Sequence, residues 1–201
     1  MKNEMQIEKY FKEIKEICES ISREDIDKVI ELLFDAWKDG RQVFLCGNGG
    51  SAGTATHFMC DLFKVTIVEG AKRFKVYCLN DNIPLMSALI NDNGFDNLFI
   101  EQLKNLYREG DVLICLSVHG GSGKDKAGLW SQNLLKAMDY VKNHDGKTIG
   151  FAGFDGGAMK DLANVCVVVP FNATPHVEAF HVVLQHLIAF RLKEKIMEHR
   201  D

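Results

Sequence analysis

His57 and Asp61 stand four residues apart in the stretch from Ala52 to about Lys64. On a helix that spacing puts an imidazole and a carboxylate on one face. The pair suits a divalent metal ion or a proton transfer, although a helical His near an Asp is more often a simple hydrogen-bonded pair. The last helical stretch, about His176 to Glu198, offers Glu178, His181, Gln185 and His186. Glu178 and His186 fall within about 80° of each other on a helical wheel, whereas His181 lies about 140° from His186 and reads as structural. Two histidines and two carboxylates from two helices would make a zinc-like site, or a carboxylate–imidazole pair that shuttles protons. Cys60 is a further thiolate candidate, although the other cysteines read as small core hydrophobes.

The first pair follows Val43-Phe-Leu-Cys-Gly-Asn-Gly-Gly-Ser51, an apolar run that breaks at glycines and re-enters helix. Glycines allow positive φ and close backbone approach, and the N–H groups at a helix start suit an anion such as phosphate. Ser117-Val-His-Gly-Gly-Ser-Gly123 repeats the pattern at a second strand end. Ser117 and Ser122 supply hydroxyls there, and His119 faces either ligand or solvent. Each loop alone could be a tight turn. Two in one sheet point to a phosphorylated ligand.

Positioning these loops requires a parallel sheet. Strands are expected at Val43–Cys46, Phe74–Leu79, Asp111–Ser117, Lys147–Ala152 and Val165–Val169. Helices are expected between them: about Leu85 to Ile90, Asn97 to Tyr107 and Ala127 to Lys142, with a short one after Gly157 and Asn91–Phe95 as a loop. Amphipathic helices from Met5 to Ile21 and from Ser22 to Gly40 come first, with apolar residues every three to four positions. Alternation of this kind predicts a three-layer α/β sandwich, a five-stranded parallel sheet with helices on both faces and ligands at the carboxyl ends of the strands. The 201 residues are expected to form a single domain, 1–201. The leading helices' apolar surface suits either a subunit interface or the cover of one sheet face.

A net charge of −4 with no basic block argues against a nucleic-acid groove. The six cysteines contain no C-x-x-C pair and read as free buried thiols in a reducing cytosol. No run is long enough for a membrane span. A cytoplasmic protein is expected.

Cys46-Gly-Asn-Gly-Gly-Ser51 followed six residues later by His57, with Asn91-Asp-Asn-Gly-Phe95, the Ser117 loop and two histidines five apart in the final helix, resembles a sugar isomerase (SIS) domain. Within it the chain is most similar to the phosphoheptose isomerases, which act on sedoheptulose 7-phosphate, and the likeness covers nearly the whole chain. The resemblance implies an aldose–ketose isomerase working through an enediol to give a manno-heptose 7-phosphate for lipopolysaccharide or capsule. It implies a homotetramer with active sites at subunit interfaces. Asp61 and His186 become the proton-transfer residues. His57, Asp61, Glu178 and His186 become ligands of a divalent metal, zinc by analogy. Asn48, Gly49, Gly50, Ser51, Asp92, Ser117, His119, Gly120 and Ser122 become substrate and phosphate contacts. The family pattern has Glu at Asp61, Gln at Glu178 and Ser at His119, and the 123–133 segment departs from it. An isomerase of another phosphosugar, or a non-catalytic phosphosugar-binding module, is the alternative.

Overall fold

The computed structural model of the chain describes residues 2–121 and 131–199. Two helices lead, α1 (Lys2–Ser20) and α2 (Arg23–Lys38). Ser22 caps α2 by accepting the Asp25 N–H, and Glu24 and Asp25 complement the positive end of the helix. Then come β1 (Gln42–Gly47), α3 (Gly50–Lys64), β2 (Lys75–Cys78), α4 (Ile83–Asn93), a 3₁₀ turn (Phe95–Asn97) and α5 (Leu98–Leu106). The chain continues through β3 (Val112–Leu116), α6 (Gln132–Lys142), β4 (Lys147–Gly153), α7 (Gly157–Leu162), β5 (Val165–Val169) and α8 (Thr174–Glu198).

The five strands pair in parallel in the order β2-β1-β3-β4-β5. Their runs are almost continuously apolar because both faces are covered. Alternate residues feed two cores. Val43, Leu45, Ile114, Phe151 and Val167 pack with α2, α3 and α8, whereas Phe44, Cys46, Leu113 and Cys115 pack with α5, α6 and Met159 of α7. The strand order reverses between β1 and β3, so the crevice at their carboxyl ends is the expected place for a ligand in such a sheet. Asp111 fixes the other end of these two strands. It is buried, and it accepts from the Gln42 N–H, the Gln42 amide and the Arg108 N–H at 2.7–2.9 Å.

Two expectations change, and a third lies partly outside the described residues. Asn91–Asn93 is the last turn of α4 and not a loop: Asn82 caps the start by accepting the Leu85 N–H, Pro84 lies in the first turn, and the stop comes only at Gly94, with φ +82°. Asn and Asp, read as turn residues, are tolerated there because nothing before that glycine breaks the helix. The described part of the helix expected from Ala127 begins at Gln132; Ser122 and residues 123–130 lie outside the described residues. Cys18 and Cys60, expected to be buried, are exposed, because each lies on the outward face of its helix.

Candidate active site

Helices α3 and α8 bring the proton-transfer candidates together. Asp61 on α3 is buried, and its Oδ2 lies 3.0 Å from Nδ1 of His186 on α8 and 3.8 Å from Nε2 of His57, one turn back on α3. The His57 and His186 rings meet edge to face at 4.9 Å. One ligand atom from each of these three residues falls within 4.8 Å of the others. Two imidazole nitrogens and a carboxylate oxygen at that separation could hold a divalent metal ion.

Glu178, the fourth expected ligand, is not in that group among the described residues. Sharing a helix face with His186 is not enough, because eight residues are about 12 Å of helix rise. Its carboxylate lies instead against the start of α3, in the space that a Cβ on residue 50 would share: that Cβ would stand 2.5 Å from Glu178 Oε1. Cys60 is likewise outside the group.

Glu178 belongs to a second feature, a pocket of about 130 Å³ at the β1/β3 crevice, lined by Asn48, Ser51, Ser117, His119, Ser131 and Glu178 among others. Four predicted substrate contacts, Asn48, Ser51, Ser117 and His119, therefore do converge. Gly49 and Gly120 carry φ of +56° and +62° in the two loops, which residues with a Cβ rarely adopt. Ser51 and Ala52 N–H groups bond to the carbonyls of Asn48 and Gly49, so part of the helix start closes its own turn. Ser117 Oγ accepts the Gly121 N–H at 3.2 Å. The ring of His119 packs on Phe154 at 4.3 Å between centroids. Asp92 is elsewhere: it is exposed on α4 and its Oδ1 accepts from the Asn91 amide.

Three further polar residues of the site act through partners that the sequence does not show. Asn80 brackets Gly47, accepting its N–H at 3.1 Å and donating to its carbonyl at 3.0 Å. The fully buried Asn133 exchanges two amide hydrogen bonds with Asn48, at 3.0 and 2.9 Å, which clamps the β1 loop to α6. Gln185, also fully buried, donates to Asp61 Oδ2 at 3.3 Å. Pairings of this kind become visible only when distant segments are laid side by side.

His181 is structural, as its angle on the helix predicts. Its Nε2 donates to the Ala152 carbonyl at 3.2 Å, since a carbonyl only accepts, and burial holds its pKa down at about 4. Burial also raises the thiols, Cys78 and Cys166 to about 12. Cys46 and Cys115, register partners with sulfurs 3.4 Å apart, are core residues. Among the described residues no helix is long and apolar enough to cross a membrane.

Comparison with known proteins gives a consistent result. The SIS domain family matches residues 9–153. The lincomycin biosynthesis protein LmbN of Streptomyces lincolnensis is 42% identical over 162 residues, which span 79% of this chain but 58% of that protein. A phosphoheptose isomerase of a Nitratiruptor species is 34% identical over 166 residues, covering 81% of this chain and 82% of its own. The structure of phosphoheptose isomerase GmhA from Neisseria gonorrhoeae superposes with a TM-score of 0.82 at 25% identity, over 95% of this chain and 98% of that one.

Proposed function

The chain belongs to the SIS domain family, and from that premise we propose that it is a phosphosugar aldose–ketose isomerase whose substrate is sedoheptulose 7-phosphate. The observation that carries the reading is the group His57, Asp61 and His186, with ligand atoms within 4.8 Å, on the same two helices that supply Ser51 and Glu178 to the crevice pocket. Ser51 and His57 are six residues apart, about 9 Å of helix rise, so one elongated ligand can have its phosphate at one end of α3 and its carbonyl near the other.

In this reading the Ser51 and Ser117 hydroxyls and the backbone of the loop glycines Gly49, Gly50 and Gly120 hold the phosphate, with Asn48 in the pocket wall; Ser122, the remaining expected contact, lies outside the described residues. Binding energy at that end orients the reacting carbons. The Asp61 carboxylate takes the proton from one of C1 and C2 and returns it to the other through an enediol. His186, bonded to the same carboxylate, serves the carbonyl and hydroxyl oxygens as acid and base. His57, Asp61 and His186 would hold a divalent ion, zinc by the donor set, which supplies polarisation of the substrate oxygens.

Val183, Leu187 and Phe190 are exposed and share the outward stripe of α8 with His186, at intervals of three and four residues. An apolar groove of about 350 Å³ runs beside it between Ile26 and Ile30 of α2 and Phe180 and Leu184 of α8. These surfaces support assembly into a homotetramer with the sites at subunit contacts. The assay is incubation of the zinc-supplied protein with sedoheptulose 7-phosphate and identification of the heptose product; lack of turnover removes this substrate. His119 and Glu178 in the pocket wall favour a second reading, the same reaction on a different phosphosugar, which a panel of aldose and ketose phosphates would reveal.

A further inference from the structure

Gln185 has no part in the reaction as set out above, yet it touches its central carboxylate. We infer that Gln185 is a positioning residue that fixes which way Asp61 faces. The inference rests on the isomerase reading for its activity readout and on the metal-ligand group for its binding readout.

Gln185 is 0% exposed, and its Nε2 stands 3.3 Å from Asp61 Oδ2. A carboxylate only accepts, and an amide oxygen in that place would repel it, so chemistry sets the orientation of the amide. The other end, Gln185 Oε1, is then buried with no hydrogen-bond partner among the described residues. A methionine or leucine would fill similar space and leave no orphaned acceptor, so packing alone does not call for an amide here. What the amide contributes is its bond to Asp61.

That bond matters because of its neighbour. Residues 185 and 186 are consecutive on α8, and both grip Oδ2, Gln185 at 3.3 Å and His186 at 3.0 Å. Holding one oxygen of a planar carboxylate from two directions also fixes the other. Asp61 is a short side chain on a helix, and with α8 gripping it from across the α3/α8 packing its carboxylate presents one face to the site. Losing such an outer partner typically costs about 10- to 100-fold in metal affinity or activity.

The test is Gln185→Met in the zinc-loaded, full-length protein, with Gln185→Leu as a second apolar replacement. Three quantities are read: kcat and KM for the phosphosugar, zinc affinity by competition with a chromophoric chelator, and Tm. Expected are a loss of about 10- to 100-fold in kcat or zinc affinity, a KM close to that of the parent, and a Tm unchanged or raised. In an Asp61→Asn background, Gln185→Met should add no further loss of zinc affinity, because the two act as a unit. Parent-like kcat together with parent-like zinc affinity overturns the inference, as does a kcat loss matched by a fall in the folded fraction. If neither apolar variant folds, the side-chain amide resonances of Gln185 are compared between the parent protein and Asp61→Asn: a shift supports the contact, and identical resonances overturn it. A parent protein inactive on every phosphosugar would defeat the isomerase reading alone, since zinc affinity still reports on Gln185.

Discussion

Acid should weaken the fold through His181. That residue is 1% exposed, with a pKa of about 4 against 6.5 for an ordinary histidine; desolvation of the charged ring is the main cause, opposed by the hydrogen bond to the Ala152 carbonyl. The folded-state value is lowered, so between these two values the unfolded chain binds more protons than the folded one, and stability falls as pH drops through that window. The contribution is complete above about pH 6.5 and lost toward about pH 4. Integrated from about pH 8 to about pH 5, it amounts to about 2 kcal/mol. With a urea m-value of about 2 kcal/mol/M the midpoint should move down by about 1 M. Other groups titrate over the same range, so the comparison is with His181→Gln, which keeps a neutral donor for Ala152. Both proteins are unfolded in urea at the two pH values and at one fixed protein concentration. The parent should lose about 2 kcal/mol more than the variant. Equal losses would refute the argument, as would a direct NMR titration of the His181 ring with an ordinary midpoint.

His186→Ala removes a donor to Asp61 and a candidate ligand from a half-exposed position; turnover should vanish while Tm shifts little, so parent-like rates would remove His186 from the mechanism. A chelator should lower activity and added zinc restore it, and insensitivity to chelation would reduce His57 to a surface residue. Gly120→Ala should destabilise by about 1–3 kcal/mol in thermal or urea unfolding, because φ is +62° there and a methyl would overlap the Gly156 carbonyl.

The sheet was legible in the sequence because its strands are short apolar runs at regular spacing, and both glycine loops landed at the crevice because strand ends are where β1 and β3 diverge. His57 and Asp61 were legible for a similar reason: a spacing of four on one helix is a local fact. Glu178 shows the limit of local facts. Its angle on the helical wheel matched His186, but angle ignores the axial separation, and the empty side of Gly50 decides where its carboxylate rests. The 91–95 loop was misplaced, since Asn and Asp do not end a helix that has a good cap and a glycine further on. Asn133 and Asn80 carry no pattern at all, and Gln185, read from the sequence only as a polar neighbour of His186, gives no sign of its partner. Each is a polar residue whose purpose is its partner 33 or more residues away.

The helix α8 links chemistry to assembly. Its inward residues Val177, Leu184, Ile188 and Leu192 build the core, Gln185 reaches Asp61 across the contact with α3, and the outward stripe of Val183, Leu187 and Phe190 brackets His186. An apolar stripe of that kind gains from being covered, and covering it would also take water from His186 and from His57 beside it. Charge and hydrogen-bond interactions at Asp61 strengthen when water leaves. On the proposed assembly the same event that buries the stripe therefore completes the electrostatic setting of the site, so the lone subunit, with side chains of His57 and His186 47% and 44% exposed, is the less active form.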